Sequence, residues 1–382
     1  MKKIIYILFL SRILLLIIGC IVLLKFTFSA QNYSGNFHYP LHENAYILPF
    51  KTWDAQHYLF LADHGYIPGQ ESNRFFPLYP AFIFTLTIFI RNSLISSYIL
   101  SFIFCVGSVV TLFNLTEKLF PKRNIAFLGT LFLLAFPTAF FLALPYTESL
   151  FLFLCLQFFY RMETKKNRTA LFCLLLIPLA RPTGIFILVP CLYYLVNNPN
   201  IRYFYVSTFN KPLKIPFVRN LLLIIVPLLG ISIYFLFHKL VLGGAFEGLN
   251  GINSIASWNP INILDPGSLI RNLVAVKLQW HGFQNSLLDR AFFIFFLLLL
   301  PVIYKKMPRQ YFYFALVMGL VPLLGSFTSY MRYLLPVFPI YIVLADILKK
   351  QKLLIIRILV FSIFIALQAL LFGMHILNYW VS

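Results

Sequence analysis

The chain has 382 residues, of which 60% are hydrophobic and 11% are charged. Soluble domains average about 45–50% apolar and about 25% charged residues, so this composition excludes an ordinary soluble protein, and the 44 Phe and 22 Tyr exclude a disordered one. The net charge of +20 does not indicate a nucleic-acid partner, because the 31 Lys and Arg lie scattered between apolar runs, as they do at the ends of membrane helices. The composition predicts an all-α polytopic membrane protein.

The first segment of the chain, residues 1–28, resembles a signal sequence: Lys2 and Lys3 precede an apolar run. That run is too long for a typical signal peptide, so we expect a retained first transmembrane helix with a cytoplasmic N-terminus. At roughly 20 residues per span, the apolar residues of the whole chain would supply about eleven spans.

The polar breaks between the apolar runs predict the orientation. Together with Lys2 and Lys3, one set of breaks holds 19 of the 31 Lys and Arg, and it comprises 117–124, 161–168, 197–220, 304–310 and 349–352. The other set holds eight, and it comprises 29–93, 144–149, 181–183, 241–290 and 326–332. Because positive residues accumulate on the cytoplasmic side, the first set is predicted to lie inside and the second outside.

This orientation determines how two ambiguous segments are interpreted. Residues 75–90 are apolar enough to cross a membrane, but one crossing there would invert every later loop, so we expect a re-entrant or interfacial helix. Residues 169–196 are interrupted at 180–184, and we expect two short helices that meet at an outward turn because Pro182 and Gly184 break the helix. This count places the C-terminus outside.

The first external loop is the densest polar region of the sequence. A helix over 52–63 would carry Asp54, His57 and Tyr58 on one face, at i, i+3 and i+4. A carboxylate beside a histidine is a plausible general base. An interfacial helix with an aromatic anchor and a solvated carboxylate would produce the same pattern, and spacing alone does not decide between them.

Six short motifs in this order resemble the PIG-V type mannosyltransferases. They are Trp-Asp-x-x-His-Tyr at 53–58, His-Gly-Tyr at 64–66, Phe-Phe-Pro-Leu-Tyr-Pro at 75–80, Pro-Tyr-Thr-Glu-Ser-Leu-Phe at 145–151, Ala-Arg-Pro-Thr-Gly at 180–184 and Arg-Tyr-Leu-Leu-Pro-Val-Phe-Pro at 332–339. The resemblance extends from about residue 50 to residue 345. All of these motifs fall on the side that the distribution of basic residues independently predicts to be external.

The resemblance implies a GT-C type glycosyltransferase. Such an enzyme would move a sugar, mannose by the resemblance, from a polyprenyl- or dolichyl-phosphate donor to a hydroxyl of a glycan or glycolipid acceptor on the non-cytoplasmic side, with inversion. We expect one integral-membrane domain over 1–382, with the first helix at 1–28, an external catalytic loop at 29–93 carrying interfacial helices, and a transmembrane bundle at 94–382. It would lie in a bacterial inner membrane, or in the endoplasmic reticulum of a eukaryote.

The resemblance also assigns candidate site residues. Asp54 matches the family's essential carboxylate and would act as the base. Arg332 and Arg181 would bind the donor phosphate, because guanidinium groups bind phosphate with two donors; snorkelling toward lipid headgroups is the alternative. His57, Glu148 and Tyr146 would contact phosphate or sugar, although His57 could instead shape the loop and Glu148 could cap a helix. Aromatic residues that would line the site are Trp53, Tyr58, Tyr66, Phe76, Tyr79 and Tyr333, with ordinary packing as the alternative for each.

Two other functions compete with this interpretation. A transporter or flippase for lipid-linked sugars should carry ionisable residues within several spans, and few are visible besides Arg12, Lys25, Lys239 and Arg357. An inactive structural relative within a glycan-assembly complex is the other. The sequence contains no nucleotide-binding motif and no cluster of metal ligands, so no cofactor is predicted, although the external carboxylates leave a divalent ion open.

Overall fold

The computed structural model of the protein describes residues 2–41, 43–44, 46–197, 215–248, 267, 270, 273–274, 279–282, 286–324 and 327–381. Every regular element in these ranges is helical, which confirms the all-α prediction. The helices are α1 Lys2–Lys25, α2 Ala30–Ser34, α3 Asp54–His64, α4 Leu78–Ile90, α5 Ser93–Leu119, α6 Arg123–Ala135, α7 Glu148–Glu163, α8 Asn167–Ala180, α9 Leu188–Val196, α10 Ile215–Leu242, α11 Leu287–Lys306, α12 Arg309–Leu320, α13 Tyr330–Leu334, α14 Pro339–Leu348 and α15 Leu354–Ile376.

Five of the helices in the described ranges are long and apolar enough to cross a membrane: α1, α5, α10, α11 and α15. Further apolar helices are only 10–17 residues long, among them α4, α6, α8 and α14. A multi-pass membrane protein is therefore confirmed, whereas the count of about eleven spans stays a prediction. Most of the basic break at 197–220 lies outside the described residues.

Described residues of the two sets of polar breaks form contacts at two different ends of the helix bundle. At one end, the Tyr311 hydroxyl donates to Glu163 (2.8 Å), and Lys306 and Lys349 pair with Asp346. At the other end, residues from the motifs at 53–58, 145–151, 180–184 and 332–339 contact one another, as described below. Helix α7 connects the ends, because it begins at Glu148 and finishes at Glu163. We call these the basic end and the motif end.

Helix α4 remains at the motif end of the bundle. The Tyr79 hydroxyl, near the start of α4, donates to the Ser97 carbonyl (3.0 Å) and lies 2.6 Å from Ser101 Oγ in the first turns of α5. The pair is thus a hairpin, from which α5 alone continues through the bundle toward the basic end. Phe84, Ile88 and Phe89 of α4 are exposed, which leaves this helix an apolar face for lipid.

The chain reverses sharply between α8 and α9, at the motif end. Arg181 follows α8 directly, and a 3₁₀ turn over Pro182–Ile187 connects it to α9. A Cβ atom at Gly184 would lie 2.3 Å from the Ile177 carbonyl oxygen, so only glycine allows the turn to pack this closely against α8. The structure therefore contains the two short helices expected from the sequence, with Arg181 at the reversal.

Arg12, the ionisable residue within α1, faces protein and not lipid. It is buried, and its guanidinium Nη1 donates to the Ala139 carbonyl at 3.2 Å. The charged group is thereby kept out of lipid, where an ionisable side chain is costly. Lys25, at the end of α1, is exposed.

Candidate active site

The first loop delivers Asp54 to the motif end through an unusual backbone conformation. Trp53 has φ 56° and ψ −136°, which is rare for a residue with a side chain, and Asp54 then begins α3. A carboxylate in the first turn of a helix is stabilised by the helix dipole. Residues 55–62 are buried, so α3 is packed into the protein and does not lie on a membrane surface.

Arg332 joins two carboxylates that are far apart in the sequence. Its Nη2 donates to Asp54 Oδ2 at 2.7 Å, and its Nε donates to Glu148 Oε1 at 2.6 Å. Its guanidinium lies 4.7 Å from the ring centres of both Phe141 and Tyr146, a cation–π arrangement that fixes the plane of the group. Tyr146 is buried beneath Arg332, so it supports the arginine and does not line the site.

Glu148 holds a second arginine. Arg181 Nη1 donates to the same Glu148 Oε1, at 2.9 Å, and the Glu148 side chain is 0% exposed. The sequence left sugar binding and helix capping open for Glu148. The structure instead places this carboxylate behind the arginines, where it fixes both of them. Asp54, Glu148, Arg181 and Arg332 form what we call the arginine–carboxylate cluster.

A cavity of about 370 Å³ opens onto this cluster. Six other predicted site residues share its wall with Asp54 and Arg332. The full lining is Asn36, Trp53, Asp54, His57, Tyr58, Arg74, Phe75, Phe76, Ala180, Arg181, Pro182, Thr328, Ser329, Arg332, Tyr333 and Trp380. The cavity therefore combines residues from four of the six motifs with residues that the motifs do not contain.

Two tyrosines expected to line the site do not reach the cavity. Tyr66 packs on the rings of Phe237 and His238, and its hydroxyl donates to the Phe75 carbonyl at 2.6 Å. Tyr79 is fully buried in the α4–α5 hairpin, where its hydroxyl forms hydrogen bonds with Ser97 and Ser101. Both expectations are corrected for the same reason: each ring has enough apolar neighbours to pack as part of the core.

Several cavity residues were not predicted from the sequence. Arg74 directly precedes the motif at 75–80, and this position next to a motif could have identified it as a candidate site residue. Ser329 has φ 60° and begins the short turn into α13, which carries Arg332. Asn36 and Trp380 come from segments without any motif, and nothing in the sequence connects Trp380 with Trp53, whose ring it contacts edge-on at 5.4 Å.

Asp54 remains ionised in this setting. Burial raises the pKa of its carboxyl, but the charge and hydrogen bond of Arg332 outweigh burial and lower the pKa below its ordinary value. His57 behaves in the opposite way, because burial and then the charge of Arg74 lower its pKa to about 3. His57 is therefore neutral, and the cavity region holds three guanidinium groups against two carboxylates.

The cavity, with Arg74 added to the cluster, is suited to an anion. No group of three or more His, Cys, Asp and Glu side chains suited to a metal ion occurs in the part of the chain that the structure describes. The two carboxylates nearest the cavity are each engaged by an arginine. The excess of guanidinium groups favours a negatively charged ligand such as a phosphate.

Comparison with known proteins identifies the family. The family model "Mannosyltransferase (PIG-V)" matches residues 6–246, well over half of the chain. The chain belongs to the PIG-V mannosyltransferase family. The matched segment includes Asp54, Glu148 and Arg181, whereas Arg332 lies beyond it. The resemblance noted in the sequence is thus confirmed.

Curated relatives match over part of their length. The GPI alpha-1,6-mannosyltransferase 2 of Cricetulus griseus is 31% identical over 125 residues, which cover 30% of this chain and 25% of the relative. The protein of the same name from Rattus norvegicus is 33% identical over 112 residues, covering 27% and 23%. The chain thus matches about a quarter of the length of these relatives. Both are described as transferases, and neither as a transporter.

Among solved structures, the chain is similar to the oligosaccharyltransferase of Archaeoglobus fulgidus. The complex with zinc and sulfate gives a TM-score of 0.46 at 13% identity, covering 96% of this chain and 53% of that one. The complex with an inhibitory peptide and a dolichol-phosphate gives a TM-score of 0.40 at 14% identity, covering 96% and 55%.

Proposed function

We propose that this chain is a mannosyltransferase that moves mannose from a polyprenyl- or dolichyl-phosphate donor to a hydroxyl of a glycan or glycolipid acceptor. Family membership supports the sugar and the reaction class. One observation carries the rest of the proposal: Asp54, a carboxylate with 31% of its side chain exposed, shares a cavity with three arginines. That arrangement suits a base next to a leaving phosphate.

Asp54 is proposed as the general base. Arg332 donates to its Oδ2, which leaves Oδ1 for the hydroxyl of an acceptor. The carboxylate takes the hydroxyl proton as the acceptor oxygen bonds to the anomeric carbon of mannose. The bond from that carbon to the phosphate oxygen breaks, and the phosphate leaves with the electron pair. Attack opposite the leaving group inverts the anomeric centre, and a base in this position supplies about 10²–10⁴-fold in rate.

The arginines are proposed to stabilise the lipid phosphate as it leaves. Arg332 has Nη1 without a partner in the described part of the chain, since its hydrogen bonds to Glu148 and Asp54 use Nε and Nη2. Arg181 keeps Nη2 and Nε available beside its bond to Glu148. Guanidinium groups held in place before reaction stabilise growing negative charge without reorganisation.

The cavity is proposed to face the non-cytoplasmic side of the membrane, which would be a bacterial inner membrane or the endoplasmic reticulum. The support is the charge distribution: the described basic residues Lys306 and Lys349 lie at the opposite end of the bundle, and basic residues accumulate on the cytoplasmic side. A lipid-linked donor and a glycan acceptor would then meet outside the cytoplasm.

The central experiment compares Asp54→Asn with Asp63→Asn in purified protein. Each change removes one carboxylate from α3, but Asp63 is exposed and accepts a hydrogen bond from Ser93 outside the cavity. With radiolabelled polyprenyl-phosphate mannose and a glycolipid acceptor, turnover should fall by about 10²-fold or more in Asp54→Asn only. Equal losses of turnover at the two positions would show that Asp54 is not the base. Transfer measured in detergent also separates the enzyme from a flippase, because detergent leaves no compartments to transport between.

The proposed orientation is tested by cysteine labelling in intact cells. A cysteine at Asn36, which lines the cavity, should react with an impermeant thiol reagent from outside. A cysteine at Lys306, at the basic end, should react only after the cells are opened. External labelling of the Lys306 position would place the cavity on the cytoplasmic side.

A further inference from the structure

The three arginines of the cavity differ in what holds them. Arg332 bonds to Asp54 and Glu148, and Arg181 bonds to Glu148. The Arg74 side chain has neither a hydrogen bond nor an ion pair among the described residues, and its guanidinium carbon lies 5.3 Å from the centre of the Phe75 ring. A guanidinium group without a carboxylate partner retains all five of its donors for a ligand.

The backbone that carries Arg74 is held firmly although its guanidinium group is free. Arg74 ends the 3₁₀ turn Glu71–Arg74, in which Ser72 and Asn73 are buried. Ser72 Oγ lies 3.0 Å from His57 Nδ1, and the Asn73 amide donates to the Ile67 carbonyl at 2.7 Å. A long side chain mounted on a fixed turn samples the cavity without movement of the backbone.

His57 fastens this turn to α3. Its ring is stacked between Phe37, at 4.8 Å, and Phe75, at 4.6 Å, and its Nδ1 meets Ser72. The ring is therefore held on both faces and at one edge. Because the pKa of His57 is lowered to about 3 by burial and then by Arg74, the imidazole is neutral and offers no charge to a phosphate.

We propose that Arg74 supplies a further phosphate contact in the cavity, to the phosphodiester of the lipid donor and to the phosphate monoester of the lipid product, and that His57 is a positioning residue that acts through the 72–75 turn. This rests on the proposed function and deepens it. Arg332 and Arg181 use part of their donors for carboxylates, whereas Arg74 lines the same cavity with all of its donors open and forms a new two-donor contact when phosphate enters.

The binding experiment uses farnesyl phosphate, with intrinsic tryptophan fluorescence as the signal, since Trp53 and Trp380 both line the cavity. Arg74→Gln should bind farnesyl phosphate about 10- to 100-fold more weakly than the wild-type protein, as expected for one lost charge-assisted contact. Arg91→Gln is the matched control: it removes an exposed arginine of the same loop and should bind normally. Unchanged affinity in Arg74→Gln, or an equal loss in both variants, overturns the assignment.

Two further ligands distinguish the source of the phosphate. Farnesol should bind weakly and equally to the wild-type protein and Arg74→Gln, because it lacks the anion. Inorganic phosphate is then tested as a competitor of farnesyl phosphate. If it displaces farnesyl phosphate only when Arg74 is present, the protein recognises the phosphate alone. If it does not displace farnesyl phosphate, the lipid is needed for binding as well. Either result supports Arg74 if the Arg74→Gln difference is present. Arg74→Lys, which keeps the charge but loses the fork, should recover part of the affinity and guards against a folding defect.

The positioning role of His57 is tested by kinetics. His57→Phe keeps the stacking but loses the contact with Ser72, so KM for the donor should rise about 10-fold while kcat stays within a few-fold. His57→Asn restores a polar group near Nδ1 and should recover most of the loss. A fall in kcat without a change in KM in both variants overturns the role. Arg74-dependent binding by a protein that transfers no mannose would leave this inference standing and refute the proposed function.

Discussion

The two ends of the bundle hold charge in opposite ways. At the motif end, Arg332 is 9% exposed and Glu148 is 0% exposed, and each is bonded to more than one partner. At the basic end, Asp346 pairs with two lysines, of which Lys306 is 43% exposed. The first arrangement shares one buried carboxylate between two planar cations. The second surrounds one carboxylate with flexible cations in contact with solvent.

This difference predicts how each end responds to change. Water can replace a lost partner at an exposed ion pair, so such pairs contribute about 0–1 kcal/mol. Inside the protein nothing replaces the partner, and removing one member of a buried pair costs about 3–5 kcal/mol. We therefore expect the motif end to depend on each of its charges and the basic end to tolerate substitution.

The largest effect is expected for Glu148→Gln. The amide keeps the size of the side chain but removes the charge that holds both Arg181 and Arg332, which leaves two buried guanidinium groups with one fewer anion. Transferase activity should fall by at least about 10²–10³-fold, and the protein should unfold at a lower temperature. The two losses are measured by a transferase assay and by thermal unfolding of the protein in detergent.

Glu117→Gln is the control for that substitution. Glu117 lies near the end of α5 at the basic end and is exposed, so the same chemical change there should alter neither quantity. If Glu148→Gln and Glu117→Gln had the same effect on activity and unfolding temperature, the residues of the buried cluster would not depend on one another. The two ends of the bundle would then not differ in how much their charges contribute to stability.

The next largest effect is expected for Arg332→Lys. Arg332 uses Nε for Glu148 and Nη2 for Asp54, and a lysine ammonium, although charged, cannot reproduce that planar geometry. Activity should fall by about 10²–10³-fold while the protein remains folded. The exposed Arg123 at the basic end provides the matched Arg123→Lys control. Near-normal activity in Arg332→Lys would indicate that charge alone, without the fork, is sufficient.

The general location of the site was predicted from the sequence through two features, the family motifs and the distribution of basic residues. The resemblance assigned Asp54, and it assigned Arg181 and Arg332 as arginines at outward helix ends within motifs. The structure brings all three residues together at the motif end. The family motifs added Glu148, Trp53 and Tyr333, although motif spacing did not indicate that Glu148 joins the two arginines.

The other features of the site depend on how the helices are rotated and packed against one another, which a single sequence does not reveal. Tyr66 and Tyr79 belong to the motifs, as Tyr58 does, yet only Tyr58 reaches the cavity. In a chain with 18% aromatic residues, the side on which each ring packs is set by helix rotation and not by residue type. The contact between Trp380 and Trp53 could not be predicted for the same reason, because the two residues come from distant segments of the chain. The number of membrane crossings could not be fixed from the sequence either.

A smaller effect is expected in the pH dependence of the reaction. Because Arg332 lowers the pKa of Asp54 despite burial, the carboxylate stays ionised as pH falls through its ordinary value, and both base function and its pairing with Arg332 are lost only below that value. The acid limb of kcat/KM should therefore lie below the usual range of an aspartate. In Arg332→Gln, only the weaker effects of His57 and Arg74 oppose the burial that raises the pKa of Asp54, so the acid limb of the residual activity should move upward. An unshifted limb would show that Asp54 does not govern the profile.

The smallest effect is expected at the basic end, for Asp346→Asn. The carboxylate is itself largely buried, at 6% exposed, but its partners Lys306 and Lys349 both reach solvent, so neither is left as a buried charge when Asp346 becomes neutral. The amide can still accept a hydrogen bond from either ammonium group. We expect the free energy of unfolding to change by about 0–1 kcal/mol and mannose transfer to be unchanged. A loss as large as that of Glu148→Gln would mean that burial of the carboxylate, and not exposure of its partners, determines the cost, and the two ends of the bundle would then obey the same rule.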